Sequence, residues 1–216
     1  VICLQWNKVL LVKVLRMKEG DCFCVTDGNG SLFDAELVDA HPKRAAANLT
    51  NQRNGYDIRD YKLSIAIAPT KLNERTEWFL EKATEIGIDE VKLFASYHSE
   101  RRVANVERFK KIVVAAMKQS VKSKMPVVED IVSFEKLVKQ DFDGQKFIAW
   151  IDDDVKEQLC DLYKKGENVM VLIGPEGDFS KEEVQLAKDN GFVPVSLGKA
   201  RLRTETAAVV ACHTVQ

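Results

Sequence analysis

The stretch Val169–Val184, VMVLIGPEGDFSKEEV, constrains the fold more than any other in the chain. Five apolar residues run into a Gly-Pro-Glu-Gly turn. Ser180 with Glu183 then forms a capping-box pattern that opens a helix ending near Gly191. A short continuous apolar run beside a capped helix reads as a strand buried on both faces, followed by the helix that covers it. The alternation recurs from Pro69 onward. Asn73 is placed to cap a helix over 74–86, with Phe79, Ala83 and Ile86 on one face and Gly87 as its stop. EVKLFAS reads as a strand. Val106 to Ser120 reads as a helix, with Val106, Phe109, Val113, Ala116 and Met117 at helical spacing and Pro126 beyond its end. KFIAWI and the shorter VPVSLG are further strands, and TETAAVVACHTV is a last helix, with Thr204 or Thr206 as its expected cap. Such alternation implies an α/β domain with a mostly parallel sheet covered on both faces.

Upstream of Tyr61 the texture differs. VLLVKVL is apolar and reads as a short β segment. Two alternating runs flank Asp27-Gly28-Asn29-Gly30, a strong hairpin signal. HPKRAAANLTNQRNGYD is polar and reads as loop, and YKLSIAIAP is a run ended by Pro69. The expectation is a small β-rich barrel over residues 1–60 ahead of the α/β domain over 61–216.

Composition narrows the function classes. With 216 residues, 45% hydrophobic and 30% charged, the chain has material for a sizeable core under a charged surface. No apolar run approaches the roughly 20 residues a membrane span needs. The N-terminus is broken by Lys8 and Lys13 and lacks the charge-first pattern of a signal peptide. Cys3, Cys22, Cys24, Cys160 and Cys212 are odd in number and include no C-x-x-C, so neither a disulfide framework nor a zinc site is indicated. Cys22 and Cys24, two apart, would share one face of a strand and are expected to be reduced, half-buried thiols, in a cytoplasmic setting.

Net charge is −1, which argues against a bulk nucleic-acid binder, yet the charge is segregated. Residues 100–125 hold eight Lys/Arg against two Glu, net +6, and residues 129–161 hold ten acids against four bases, net −6. Either the first segment faces a polyanion, or both are solvated helix faces. His41, His98 and His213 share no ligand spacing and read as surface or hydrogen-bonded residues. Trp6, Trp78 and Trp150 read as packing residues. Asp152, Asp153 and Asp154 read as a solvated loop, and no metal site is expected.

The loop IGPEGDF is neither a Walker loop nor G-x-G-x-x-G. Pro175 removes a backbone N–H from a would-be phosphate nest, and Glu176 adds a negative charge; both oppose a polyphosphate, and with it a nucleotide hydrolase. Gly174 and Gly177 allow bare backbone to approach a ligand and permit unusual φ values. A second glycine turn, Leu197-Gly198, precedes a polar cluster, Arg203-Thr204-Glu205-Thr206, where the last helix starts. Glu205 there suits the helix dipole, whereas capping alone does not require Arg201 and Arg203. Two glycine turns after strand ends are where open α/β sheets bind ligands.

IGPEGDFSKEEV together with SLGKARLRTETAAVVA resembles the bacterial methyltransferases that modify N3 of a uridine in 16S ribosomal RNA, members of the SPOUT class. APTKLNERTEWFLEKATEIGID, SERR, KQSVKSKMP and VLRMKEGD match further blocks, so the resemblance spans nearly the whole chain. It implies a PUA-like N-terminal RNA-binding barrel and a C-terminal α/β trefoil knot that binds S-adenosyl-L-methionine. The cofactor contacts it implies are Leu172, Ile173, Gly174, Pro175, Glu176 and Gly177 after one strand, and Ser196, Leu197 and Gly198 after another. Leu202, Arg203, Thr204, Thr206 and Ala207 complete the set. It implies RNA contacts at Arg16, Lys71, Arg75, Glu100, Arg101, Arg102, Gln119, Ser120 and Lys122. It also implies a homodimer formed through the knot helices, with the apolar face of AAVVAC in use, acting on 16S ribosomal RNA or the small subunit.

The chain departs from the family pattern at four positions. Ala200 stands where Arg is common and Arg201 where an aliphatic residue is common. Leu10 stands for a His, and Lys122 for an Arg. Within this reading Arg203 is the first candidate to stabilise charge on the uracil oxygens, Arg201 the second, and Glu205 the third catalytic candidate. The departures motivate an alternative of another class, a non-enzymatic RNA-binding or ribosome-assembly factor with a degenerate knot.

Overall fold

The computed structural model describes residues 2–3, 10–152 and 154–216, with no side chain described at 2, 3 or 10. Trp6, Lys8 and Asp153, and the side chains of Cys3 and Leu10, lie outside what is described, and so do the expectations attached to them. The chain divides into two compact units, Val1–Ile58 with Val114–Met125, and Arg59–Val113 with Pro126–Gln216. The basic segment 100–125 is thus divided, its residues up to Val113 grouping with the second unit and those from Val114 with the first.

In the first unit, β1 (Ile2–Cys3) pairs parallel with β2 (Cys22–Thr26), which pairs antiparallel with β3 (Ser31–Asp39), which pairs antiparallel with β4 (Ala46–Asn54). The hairpin over 27–30 stands as read. Asp27 Oδ1 accepts from the Asn29 and Ser31 amides at 2.8 and 3.0 Å, and Gly28 and Gly30 take positive φ. Two expectations here are corrected. Ala46–Asn54 is a strand, not a loop; almost all of it is exposed, so it has no buried face to impose alternation, and its backbone pairing with β3 holds it. Leu10–Val14 is a π-helical turn, not a strand: it buries Leu11 and closes with Met17 N–H donating to Leu11 O at 3.0 Å.

In the second unit, β5 (Leu63–Ile67), β6 (Glu90–Ala95), β7 (Val127–Val128), β9 (Gln145–Ala149), β10 (Val169–Ile173) and β11 (Val193–Val195) form a sheet in the order β11-β9-β10-β5-β6-β7. The short β8 (Val132–Ser133) is added on β6. Every described pairing in it is parallel. The helices are α1 (Asn73–Ile86), α2 (Val106–Gln119), whose residues from Val114 on belong to the first unit, α3 (Phe134–Val138), α4 (Leu159–Leu162), α5 (Lys181–Asp189) and α6 (Thr204–Val215).

The central strands are apolar throughout because both faces are covered. Leu63, Ile65, Ile67, Val169, Val171 and Ile173 point to one core, shared with Phe79, Phe109, Ala208 and Cys212. Ala66, Met170 and Leu172 point to the other, with Phe94, Phe134, Phe179 and Val184. Period-two alternation thus survives inside a run that composition alone cannot resolve.

The ends of the helices follow local chemistry. Ser180 Oγ accepts from Glu183 N–H at 3.2 Å while the Glu183 carboxylate accepts from Ser180 N–H at 3.0 Å, which completes the capping box of α5. Ser180→Ala should lower stability by about 1 kcal/mol. A shift in the urea midpoint at constant slope is the measurement, and an unmoved midpoint would count against the cap. Gly87 ends α1 at φ 115°. Neither expected side-chain cap forms on α1 or α6. Leu72 is the N-cap of α1 and Arg203 that of α6, both in extended backbone without a side-chain cap bond. Asn73, Thr204 and Thr206 thus lie one or more positions inside their helices.

Candidate functional site

Because the sheet is parallel, every strand of it delivers its following loop to the same edge. Gly174–Ser180 follows β10, Ser196–Arg203 follows β11, Ala68–Leu72 follows β5, and the segment from Ser96 follows β6. The sequence-predicted cofactor residues all lie at the end of β10, on these first two loops or on the helix start beside them. Leu172, Ile173, Gly174 and Pro175 are buried, Glu176 and Gly177 exposed, and Ser196 and Leu197 half-buried. Gly198 and Arg203 are exposed, Thr204 is buried, and Leu202, Thr206 and Ala207 are half-buried.

The glycines divide by cause. Neither Gly174 nor Gly177 has positive φ, contrary to expectation; that conformation falls on Asp178 at 61°. A Cβ at Gly174 would meet the Phe179 ring at 3.1 Å, and one at Gly177 would meet His98 Cβ at 2.9 Å. Close packing within the chain accounts for both. Gly198 is different: its φ is 118°, and a Cβ there would meet nothing within 4 Å. It borders open space. Ser196 Oγ accepts from Gly198 N–H at 3.2 Å and holds the turn.

The loops are tied to one another by charged side chains. Glu176 accepts from the Lys71 amide at 2.9 Å, and the Lys71 ammonium pairs with Glu100 at 2.9 Å. Arg101 donates to the Thr70 and Lys71 carbonyls at 3.2 and 2.8 Å, and Arg102 to those of Ser96 and Tyr97 at 3.2 Å each. Of the predicted RNA contacts, Lys71, Glu100 and Arg101 therefore form one network that fixes loop geometry. Asp178 joins the loop after β10 to the loop after β9, its two oxygens accepting from the Phe179 and Ile151 amides at 2.8 and 3.2 Å. Burial pushes its carboxyl above the usual carboxylate range, against those two bonds and the charges of Arg201 and His98. His98 bonds Asp178 O through Nδ1 at 3.0 Å, which places it among hydrogen-bonded residues as read.

A cavity of about 560 Å³ opens between the first turns of α1 and α6. Glu74, Arg75 and Trp78 form one wall; Arg201, Leu202 and Arg203, with Glu205 and Thr206 of the first turn of α6, form the other. All three catalytic candidates thus meet in one place, with Arg75 from the predicted RNA set. Glu205 is only 7% exposed; Arg75 Nε lies 3.8 Å from its Oε1, and its Oε2 has no hydrogen-bond partner. Sequence reasoning missed Glu74 and Trp78. Trp78 is 44% exposed, off the Phe79–Ala83 face, and a large apolar residue on the polar side of a helix was the signal available.

Elsewhere the sequence candidates are dispersed. In the first unit Arg16 is exposed in left-handed backbone, Gln119 is exposed, Ser120 bonds back to Ala116 O, and Lys122 pairs with Asp57 at 2.6 Å. The apolar face of α6 is largely spent internally, since Ala208, Ala211 and Cys212 are buried. Burial pushes the Cys212 thiol up to about 12. Cys24 is a half-buried free thiol, whereas Cys22 is an exposed one and not half-buried.

The parallel sheet with its glycine turns and arginine-rich cavity lies within residues 59–216, which match the family described as the RNA methyltransferase domain, and the chain belongs to that family. The RNA methyltransferase PUA domain matches residues 11–50. Among relatives, the ribosomal RNA small subunit methyltransferase E of Synechocystis is 30% identical over 93% of this chain and 67% of its own length. A probable rRNA methyltransferase from Porphyromonas gingivalis is 44% identical, with a TM-score of 0.89 over 96% of this chain and 90% of that one. The ribosomal RNA small subunit methyltransferase E of Neisseria gonorrhoeae, solved bound to S-adenosyl methionine, is 26% identical, with a TM-score of 0.86 over 95% and 86%.

Proposed function

We propose that this chain is an S-adenosyl-L-methionine-dependent methyltransferase acting on N3 of a uridine in small-subunit ribosomal RNA, working in the cytoplasm as a homodimer. The observation that carries the reading is the meeting of Arg201, Arg203 and Glu205 in one cavity next to the open turn at Gly198. Membership of the RNA methyltransferase family, and the cofactor named with the Neisseria structure, support it.

The residues present fit the cofactor. Gly198 offers bare backbone facing open space, and Leu197 and Leu202 offer apolar surface. When bound, the cofactor supplies an electrophilic methyl group. The chain's own part is orientation, charge stabilisation and proton removal. Uracil N3 carries a proton, and its loss spreads negative charge onto O2 and O4. Arg203, exposed into the cavity, presents a planar fork of donors to that charge. The exposed basic residues of the first unit suit a phosphate backbone.

The decisive experiment incubates ribosomal RNA from a strain lacking the protein with purified chain and cofactor, then maps the product. A single N3-methyluridine in the small-subunit RNA is expected; methyl elsewhere, or none, overturns the reading. Calorimetry separates it from a non-enzymatic RNA-binding factor: micromolar cofactor affinity is expected, and no binding at high protein concentration would favour the factor. Light scattering at micromolar concentration should give a dimer mass, and a fully active monomer would refute that part.

A further inference from the structure

Resting on that reading, we infer that Glu205 is the general base that takes the N3 proton from the target uracil. Its carboxylate lines the cavity yet is almost wholly removed from water. Oε2 has no hydrogen-bond partner, and the nearest cation stands 3.8 Å from Oε1, beyond hydrogen-bond length. A buried carboxylate oxygen left without a hydrogen-bond donor is costly, and a donor brought by a ligand removes the cost. Uracil carries that donor between two acceptors, as O2, N3–H and O4. The cavity offers the complement, an acceptor in Glu205 and donors in Arg203 and Arg75. Cytosine, whose N3 is an acceptor, would set a lone pair against the carboxylate, so the same residue discriminates between the two pyrimidines.

The other carboxylates near this edge are engaged or solvated. Glu176 accepts from the Lys71 amide, both Asp178 oxygens accept backbone N–H groups, and Glu183 holds the Tyr97 and Ser180 amides. Glu74 lines the same cavity but is exposed to solvent. In the step itself the proton leaves N3 for a Glu205 oxygen. The electron pair left on N3 forms the bond to the methyl carbon as that carbon's bond to the donor sulfur breaks, its pair staying on sulfur. Glu205 then passes its proton to water.

The test is single-turnover methylation of target RNA at saturating RNA and cofactor, after the wild-type product has been mapped. Methyl at a site other than uracil N3, or no transfer at all, overturns the functional reading and this assignment with it. With N3 confirmed, Glu205→Gln should slow turnover about 100-fold or more at neutral pH, while calorimetric affinity for S-adenosylmethionine changes no more than about twofold. Its rate should rise about tenfold per pH unit, because the uracil must then ionise unaided. RNA bearing 5-fluorouridine at the target, whose N3–H is more acidic, should rescue the variant about tenfold or more and the wild type far less. Glu205→Asp, which keeps a carboxylate, should be slow without the steep pH dependence and provides a second reading if the Gln variant folds poorly. Glu74→Gln, whatever its rate, should show neither the steep pH dependence nor the fluorouracil rescue. A slowed Glu205→Gln with neither pH nor fluorouracil rescue, or the same pH and fluorouracil signature in Glu74→Gln, would overturn the assignment.

Discussion

Arg203→Ala is expected to lower single-turnover methylation about 100-fold or more while the fold and most cofactor affinity persist, the loss typical of removing one donor to a developing oxyanion. The structure separates the two parts of that expectation. As N-cap of α6, Arg203 contributes backbone only: its φ of −74° and ψ of 156° suit alanine equally, and its carbonyl still accepts from Ala207 N–H at 2.8 Å. The competing role for its guanidinium is a surface ion pair, worth about 0–1 kcal/mol. Among the described residues Arg203 makes no such pair, and the cation beside Glu205 is Arg75. Arg203→Lys should recover little, since a point charge does not reproduce the fork. Arg201→Ala should cost less and mainly in RNA affinity, with a salt-dependent effect. Near wild-type turnover in Arg203→Ala would show that another cation faces the uracil.

These roles differ in how far the sequence discloses them, for physical reasons. The β10–turn–α5 unit is legible because burial on both faces leaves a continuous apolar run, and because Ser180 and Glu183 cap through side chains. β4 is illegible because pairing with β3 through the backbone needs no side-chain pattern when nearly every residue is exposed. β7 and β8 span two residues each, too few for any period to register. The caps of α1 and α6 mislead because Leu72 and Arg203 hold their positions by backbone conformation, while nearby Asn73 and Thr204 have the chemistry of caps. In the site, each glycine turn is visible as a local motif. Its cause is not: Gly177 answers to His98, a residue far away in sequence, and Gly198 faces open space. The pairing of Arg75 with Glu205 joins the starts of the first and last helices of the α/β unit, and no local pattern encodes it.

Gly198→Val is expected to weaken S-adenosylmethionine binding by more than tenfold, about 1.4 kcal/mol or more. Two mechanisms contribute, and a pair of substitutions resolves them. At φ 118° the backbone lies beyond the left-handed well that other residues tolerate, so any side chain strains the turn, at a cost of order 1–3 kcal/mol. That strain is at least as large for β-branched Val as for Ala, so the melting temperature of each variant without ligand calibrates it. A Cβ here meets no atom of the chain within 4 Å. If only strain matters, the affinity lost by Gly198→Ala and Gly198→Val should follow the melting temperature each loses. If Gly198 borders the cofactor, Val should lose clearly more affinity than its loss of melting temperature relative to Ala accounts for. Calorimetry on each folded variant, paired with thermal melts in the absence of cofactor, reads the difference. Unchanged affinity in folded Gly198→Val would remove the loop after β11 from the binding site.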